Sequence, residues 1–226
     1  SPAGKQPMET ADGRYLLTYN GEIYNFRELQ AELRAKGHVF RSRTDSEVLL
    51  CAFAEWGTGA LERLNGMFAF AIWDREARRL TLARDRYGIK PVYYANAGPA
   101  FMFASESKAF LKHPNFRADL DMEGMLEYFT FQNFFTQRTL LKRVRMLPAG
   151  CYMTLALSPD GEQDGPKIVR YWDYQFEEPV DPRPEAEYLE ELDHLMSQAI
   201  TRQLISDVDV SSYLSGGMDS GTVTAI

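Results

Sequence analysis

The chain has 226 residues, of which 45% are hydrophobic and 25% are charged, enough for a sizeable core and one or two globular domains. Its net charge of −7 argues against non-specific binding to nucleic acid or to an anionic membrane surface. No apolar run reaches the roughly 20 residues that a membrane span needs. Cys51 and Cys151 form no metal spacing and no disulfide framework, so a reducing, cytoplasmic setting is predicted.

The first 60 residues are typical of short strands alternating with helices. Two capping boxes, each a cap residue followed three positions later by Glu, predict the helix starts: Asn25 with Glu28, and Thr44 with Glu47. Gly37 and Gly57 predict where these two helices end. Strands are expected before and after the first helix, at residues 15–20 and 39–40.

The middle of the chain is rich in predicted strands. Residues 67–73 are continuously apolar, which predicts a strand buried on both faces. The other predicted strands are residues 80–83, 91–95, 101–104, 151–156 and 168–174. Short helices are predicted at residues 106–111 and 122–131.

A composition change near residue 180 predicts a domain boundary. Residues 176–185 contain three prolines and four acids, which is typical of a linker. The predicted organisation is therefore a first domain at 1–175, a linker at 176–185 and the start of a second domain at 186–226. In that second part the pattern predicts a helix over 186–204, a strand over 208–214 and a helix after Ser220.

The segment between that last strand and helix has the pattern of an anion-binding loop. Gly216 and Gly217 allow successive backbone N–H groups to point into one concavity, and the following helix start adds partial positive charge. Ser215 and Ser220 add hydroxyl donors. The carboxylate of Asp219 would be repelled by phosphates unless a cation lay between them, so Mg²⁺ is predicted there. A Gly-rich turn with Asp219 as a local cap is the structural alternative.

Six motifs, in order and spacing, carry a resemblance that spans almost the whole chain: YNGEIYNFRELQAEL, RTDSEVLL, LNGMFAFAIWD, ARDRYGIKPVYYA, FASESKA and LSGGMDS. Together they resemble the glutamine-dependent asparagine synthetases. The resemblance implies an α/β fold, with an N-terminal-nucleophile glutaminase domain that is a four-layer αββα sandwich. It also implies the beginning of a parallel-sheet α/β domain of the PP-loop ATP pyrophosphatases.

The implied reaction uses glutamine, aspartate and ATP with Mg²⁺. Ammonia released from glutamine passes through an internal tunnel and attacks β-aspartyl-AMP, which gives asparagine, AMP and pyrophosphate. Small molecules are therefore the expected partners, with no nucleic acid and no membrane. A cytoplasmic enzyme is expected, and a homodimer is compatible with this reading.

The resemblance assigns roles to residues of both halves. Asn20 and Gly21 are expected to form the oxyanion hole, and Glu22 and Asp45 to bind the glutamine α-ammonium. In the second half, the backbone of Leu214 is expected to touch adenosine. The residues expected to hold pyrophosphate and its Mg²⁺ are Ser215, Gly216, Gly217, Asp219 and Ser220. The charged, Gly- and Pro-containing segment at 84–91 is expected to be a structural turn in which charged groups pair.

The family nucleophile, an N-terminal cysteine, is not matched by Ser1, Cys51 or Cys151. We therefore expect the chain to be a fragment that is inactive alone. Two alternatives stay open from the residues: a related ligase, such as a β-lactam synthetase, with another acid as acceptor, and a non-catalytic binding derivative.

Overall fold

A computed structural model describes residues 4–98, 100–157, 165–206 and 208–226 of the chain. The chain divides into two compact units, Pro2–Asp173 and Tyr174–Ile226. Ser1, which the sequence excludes as a nucleophile, lies outside the described residues.

Two antiparallel sheets form the frame of the Pro2–Asp173 unit. The larger has six strands in the order β1-β2-β3-β4-β8-β9. These are Met8–Glu9, Tyr15–Ile23, Gly66–Asp74, Arg79–Arg84, Cys151–Ala156 and Lys167–Arg170. The smaller has the order β6-β5-β7, with Tyr93–Ala97 as β5, Ala100–Ala104 as β6 and Val144–Met146 as β7.

Helices cover the outer face of the larger sheet, and its other face packs against the smaller sheet through a second hydrophobic cluster. Helices α1 (Phe26–Ala35), α2 (Asp45–Trp56) and α3 (Ala60–Arg63) pack on the larger sheet. On the smaller sheet, Phe110 of the 3₁₀ segment Ser107–Lys112 packs against β5 and β7. Helix α4 (Met122–Phe131) begins at Asp121, whose carboxylate accepts the Gly124 N–H at 3.0 Å.

Strand β3 lies between two hydrophobic clusters, as its apolar sequence predicts. Phe68, Phe70 and Ile72 face the helices, whereas Ala69 and Ala71 face the smaller sheet. All five are buried. The large side chains fill the helix interface, and the alanines allow the second sheet to approach.

Two local predictions in the first unit are wrong. Asn25 makes no side-chain cap for α1. Its carboxamide instead donates to the Arg63 carbonyl and accepts the Asn65 N–H, both at 2.9 Å, so the turn before β3 takes the groups that the cap would use. The strand predicted at residues 39–40 is absent from the described structure, where Val39 is 85% exposed and no strand lies alongside.

The turn at residues 84–91 is structural, but its charged groups bind backbone rather than each other. The fully buried Asp85 carboxylate accepts four backbone N–H groups, those of Phe68, Tyr87, Ile89 and Lys90. The Arg84 guanidinium donates to three carbonyls, those of Gly88, Lys90 and Leu147. Burial lowers the pKa of Arg84, and Asp85 opposes that effect.

Helices alone provide the regular structure of the Tyr174–Ile226 unit in its described part. Helix α5 spans Glu185–Gln203 and α6 spans Met218–Ala225, close to the predicted bounds. The strand predicted at 208–214 is wrong: those described residues are irregular and exposed. A strand needs hydrogen-bonded neighbours, and the described part of this unit offers none.

Candidate functional site

The Asn-Gly-Glu motif lies at the end of β2, inside the strand rather than in a turn. The predicted strand stopped at Asn20, but β2 continues to Ile23. Along β3, Asn20 pairs with Ala69 and Gly21 pairs with Phe68. The sheet therefore fixes the backbone of the motif.

The backbone polar groups of Gly21 point away from β3. Its partner Phe68 uses both of its backbone groups on the other side, where its N–H reaches Asp85 Oδ2 at 3.2 Å and its carbonyl accepts the Asp85 N–H at 2.8 Å. Gly21 and Phe68 therefore form a non-hydrogen-bonded pair of the antiparallel ladder. The N–H of Gly21 faces the edge of the sheet, beyond the short strand β1.

The residues on either side of Gly21 have their edge N–H groups satisfied. The carboxamide of Gln6 accepts the Tyr19 N–H at 2.6 Å and donates to the Tyr19 carbonyl at 2.8 Å. The Ile23 N–H donates to Asp45 Oδ2 at 3.0 Å. Between them, the Gly21 N–H has no partner among the described residues, so it is available to a ligand.

Close backbone packing requires glycine at position 21. A Cβ there would lie 2.2 Å from the Met67 carbonyl oxygen and 2.7 Å from Phe68 Cα, both main-chain atoms of β3. Gly66, opposite Ile23, is equally restricted, since its Cβ would lie 2.2 Å from the Glu22 carbonyl oxygen. Two facing glycines therefore let β2 and β3 approach closely at the motif.

The Asn20 side chain lies on the strand face turned toward the smaller sheet. Its Nδ2 donates to Ser105 Oγ at 3.3 Å, just after β6. On the same face, Leu16 and Thr18 line an apolar cavity of about 430 Å³ between the two sheets. An amide nitrogen has two hydrogens, so Asn20 keeps one for a ligand.

Asp45 brings the start of α2 to the same strand end. The helix is capped by Thr44, whose hydroxyl accepts the Glu47 N–H, as predicted. Asp45 Oδ2 accepts the Tyr19 hydroxyl at 2.7 Å in addition to the Ile23 N–H. Its other oxygen, Oδ1, has only a 3.4 Å contact with Ser46 Oγ. Burial, and then the neighbouring Asp45, raise the pKa of Tyr19, so its hydroxyl stays a donor.

Glu22 adds a second carboxylate at this strand end. Its side chain is exposed and, in the described part of the chain, makes no hydrogen bond or ion pair. The four predicted residues of the first half are thus on adjacent elements: Asn20, Gly21 and Glu22 on β2, and Asp45 bonded to Ile23. Sequence reasoning missed Gln6 and Tyr19, because their contacts join residues 13 and 26 positions apart.

Neither cysteine has the properties of a nucleophile. Cys51 lies in α2, and burial, followed by Glu47, raises the pKa of its thiol to about 11. Burial also raises the pKa of Cys151, which is packed in β8. Both thiols stay protonated at neutral pH.

The second predicted site is an exposed loop in the Tyr174–Ile226 unit. Ser215 and Ser220 are linked through their hydroxyls at 2.8 Å, and Ser220 Oγ also donates to the Gly217 carbonyl at 3.1 Å. Gly216 has φ +83°, a conformation that favours glycine. Helix α6 has no side-chain cap, so its first N–H groups are open.

Asp219 stands in the first turn of α6. Among the described residues no group of three or more His, Cys, Asp or Glu side chains could hold a metal ion. One carboxylate still fits Mg²⁺ bound chiefly through substrate phosphates. The assignment of Mg²⁺ to Asp219 stays a prediction.

Two solved structures have a fold similar to that of this chain. The glutamine phosphoribosylpyrophosphate amidotransferase from B. subtilis, complexed with ADP and GMP, superposes with a TM-score of 0.51 at 20% identity. The match covers 74% of this chain and 32% of that chain. A structure titled as the allosteric regulatory enzyme of purine biosynthesis matches equally well. This chain shares the fold of both structures.

The family follows from sequence models. The glutamine amidotransferase domain model matches residues 1–172. The chain therefore belongs to the glutamine amidotransferase domain family. The asparagine synthase model matches residues 191–226.

Curated relatives match the chain over nearly its whole length. Glutamine-hydrolyzing asparagine synthetase 3 of Bacillus subtilis (strain 168) is 41% identical over 226 residues, covering 99% of this chain and 36% of that protein. A putative glutamine-hydrolyzing asparagine synthetase of Mycobacterium tuberculosis is 36% identical, covering 97% of this chain and 34% of that protein. Amidase chry2 of Gibberella zeae is 31% identical, and the match covers 100% of this chain and 32% of that protein. The chain thus spans about a third of the length of these relatives.

No helix in the described ranges has the length and apolar character of a membrane-spanning segment. The cytoplasmic location and the homodimer stay predictions.

Proposed function

We propose that the end of β2 and the start of α2 bind glutamine and stabilise the transition state of its hydrolysis. The observation that carries the proposal is the N–H of Gly21 at the sheet edge, next to the second amide hydrogen of Asn20; neither hydrogen has a partner among the described residues. Such donors suit the oxyanion that forms on the glutamine carboxamide. One oxyanion-hole donor typically contributes about 2.7–4 kcal/mol of transition-state stabilisation.

Glu22 and Asp45 bind the α-ammonium of the same glutamine. Glu22 has no competing partner in the described chain, and Asp45 Oδ1 is nearly free. Two carboxylates around one cationic amine favour the free amino acid over a peptide-linked amide. Glu22 and Asp45 therefore determine selectivity for free glutamine, whereas Asn20 and Gly21 lower the barrier to its hydrolysis.

In the reaction a nucleophile adds to the side-chain carbonyl carbon of glutamine, and the carbonyl oxygen becomes the oxyanion. The C–N bond then breaks, and ammonia leaves after its nitrogen gains a proton. Water releases glutamate from the nucleophile in the second step. The raised thiol pKa values support a nucleophile other than Cys51 or Cys151. The family resemblance implies a cysteine with a free α-amine as its base.

The ammonia serves an ATP-dependent amidation of aspartate, for which the relatives and the asparagine synthase match at 191–226 are the support. Aspartate and ATP give β-aspartyl-AMP and pyrophosphate, and ammonia then displaces AMP to give asparagine. The residues proposed to hold adenosine, pyrophosphate and Mg²⁺ are Leu214, Ser215, Gly216, Gly217, Asp219 and Ser220. When bound, Mg²⁺ neutralises phosphate charge.

A related reaction with another acid as acceptor is the second candidate. Two relatives named as amidases, chry2 and chyE, cover the whole chain at 31% identity, so this region is shared by proteins with different names. The glutamine site is the same in both candidates. They differ in the acid that is activated.

The test uses the product of the complete reading frame that encodes this chain. Asn20→Ala is expected to lower kcat for glutamine hydrolysis by about 100-fold, because one oxyanion donor is lost. Synthesis with free ammonia should keep its wild-type rate. Asn96→Ala, which removes another exposed strand asparagine, is the matched control. Wild-type glutaminase activity in Asn20→Ala would exclude the proposed site.

ATP–pyrophosphate exchange identifies the acceptor. Exchange that depends on aspartate is the expected result. Exchange with a different carboxylic acid, and none with aspartate, would favour the second candidate.

A further inference from the structure

Tyr19 connects the two parts of the proposed glutamine site. Its backbone N–H and carbonyl are both held by the Gln6 carboxamide, at 2.6 and 2.8 Å. Its hydroxyl donates to Asp45 Oδ2 at 2.7 Å. The residue directly before Asn20 is therefore fixed on its main chain and at the tip of its side chain.

These contacts make the two oxygens of Asp45 unequal. Oδ2 accepts two hydrogen bonds, from the Tyr19 hydroxyl and the Ile23 N–H, which fills its two lone-pair positions. Oδ1 keeps its acceptor capacity, because its contact with Ser46 Oγ is 3.4 Å long. Only Oδ1 can therefore receive a strong hydrogen bond from a ligand.

We propose that Tyr19 is a positioning residue for the amine subsite: its hydroxyl fixes the Asp45 carboxylate so that Oδ1 is presented to the α-ammonium of glutamine. The inference rests on the proposed function. The proposal concerns only the hydroxyl of Tyr19. The aromatic ring has a separate role, because it packs in the core beneath the helices. Without the hydroxyl, the Ile23 N–H alone holds Oδ2, and the carboxylate can rotate.

The central experiment compares Tyr19→Phe with wild type in the product of the complete reading frame. KM for glutamine is expected to rise about ten-fold, the scale of one hydrogen bond to a charged group, with kcat within two-fold. The oxyanion donors are untouched, so the chemical step is kept. An unchanged KM would overturn the proposal.

Tyr15→Phe is the matched control. Tyr15 lies on the same strand and the same face, and its hydroxyl interacts with Asp74, at the other end of β2. Removing this hydroxyl should leave KM for glutamine at its wild-type value. An equal rise in KM for both variants would show a general loosening of the strand and contradict a specific role for Tyr19.

A ligand without the amine gives a readout that a structural role would not move. Glutaramate has the carboxamide and a carboxylate but no α-ammonium. Tyr19→Phe should weaken inhibition by glutamate about ten-fold and leave inhibition by glutaramate unchanged. Equal weakening for both ligands would overturn the proposal.

Asp45→Asn separates failure of this inference from failure of the proposed function. A raised KM in Asp45→Asn with no effect in Tyr19→Phe would reject the role of Tyr19 and keep the glutamine site. No change in Asp45→Asn would reject the amine subsite itself. In the double variant, Tyr19→Phe is expected to add no further rise in KM, because its effect acts through Asp45.

Discussion

The strand-end site (Asn20, Gly21, Glu22 and Asp45) and the 214–220 loop both contain glycine and both offer open N–H groups, but they are held differently. Apart from the long Ser46–Asp45 contact, the side-chain hydrogen bonds around the strand-end site join residues 13 to 85 positions apart, from Gln6–Tyr19 to Asn20–Ser105. Bonds within the loop join residues two to five positions apart. One site depends on the tertiary fold, and the other depends on local sequence.

This difference sets what each site can do before a ligand arrives. A donor fixed by a buried sheet needs no ordering when the oxyanion forms, which is the condition for strong electrostatic stabilisation. A loop held by its own hydroxyls has less to resist rearrangement around a phosphate. Substitutions at the first site should therefore cost folding free energy in addition to their effect on glutamine, whereas those at the second site should cost mainly ligand affinity.

Asp85→Ala is expected to have the largest effect on stability. It leaves four backbone N–H groups without their acceptor, including the buried one of Phe68, which faces Gly21. The free energy of unfolding should fall by about 4 kcal/mol. Urea denaturation followed by tryptophan fluorescence measures it, with the exposed Asp119→Ala as control. A loss below about 1 kcal/mol would show that the strand end does not depend on this turn.

Gly21→Ala is next in size, because its Cβ would meet main-chain atoms of β3 at 2.2 and 2.7 Å. Overpacking against backbone should cost about 3 kcal/mol. Gly59→Ala is the control, since nothing lies within 4 Å of its Cβ. Gly217→Ala, whose Cβ would lie 3.4 Å from Ser215 Oγ, should cost far less. Equal losses at positions 21 and 217 would contradict the comparison.

Asp74→Asn tests the other end of the same strand pair and is expected to cost about 2 kcal/mol at neutral pH. Burial raises the pKa of Asp74, but Arg14 and the N–H groups of Ala77 and Glu76 lower it below the ordinary 3.8. Its contribution is therefore present above the unfolded pKa and lost as pH falls through the folded one.

The difference between wild type and Asp74→Asn should stay constant at neutral pH and shrink below pH 3.8. Unfolding free energies measured across this range provide the check. A difference that grows in acid would reverse the sign and refute the assignment. KM for glutamine should be unchanged, because Asp74 is paired with Tyr15, far along the strand from Gly21.

Ser220→Ala should have the smallest effect on folding, within about 0.5 kcal/mol, because the loop is exposed. It should nevertheless weaken ATP–pyrophosphate exchange in the complete enzyme about ten-fold, through loss of one phosphate donor. Ser211→Ala is the matched control. Full exchange activity in Ser220→Ala would remove this residue from the proposed phosphate site.

Patterns within one element could be read from the sequence. The apolar run of β3 predicted a strand buried on both sides, and residues 122–131 predicted α4 with its observed bounds. The predictions that failed depended on a distant neighbour. Asn25 bonds to residues 63–65 instead of capping α1, and residues 208–214 have no strand to pair with in the described unit.

In the candidate site too, some features could be predicted from local sequence and others depend on distant residues. Asn20, Gly21, Glu22 and Asp45 stand in recognisable motifs, whereas the edge position of the Gly21 N–H depends on register with Phe68. From the sequence, Tyr19 is expected to be a packing residue, because no neighbouring residue indicates that its hydroxyl binds a carboxylate 26 positions away. The role of Gln6 could not be predicted from the sequence, because its carboxamide binds main-chain atoms of Tyr19 in strand β2, 13 positions away.

The Gln6 carboxamide also has a consequence for association between molecules. An exposed sheet edge is a template on which another chain can add a strand, and proteins protect such edges with short strands and blocking side chains. Here β1 covers only two residues, and the next pair of edge groups, on Tyr19, is occupied by a side chain instead of a strand. Asp45 occupies the N–H of Ile23. Along this edge of β2, the described residues leave one N–H donor open, that of Gly21, which is enough for one small oxygen atom and too little for a foreign strand.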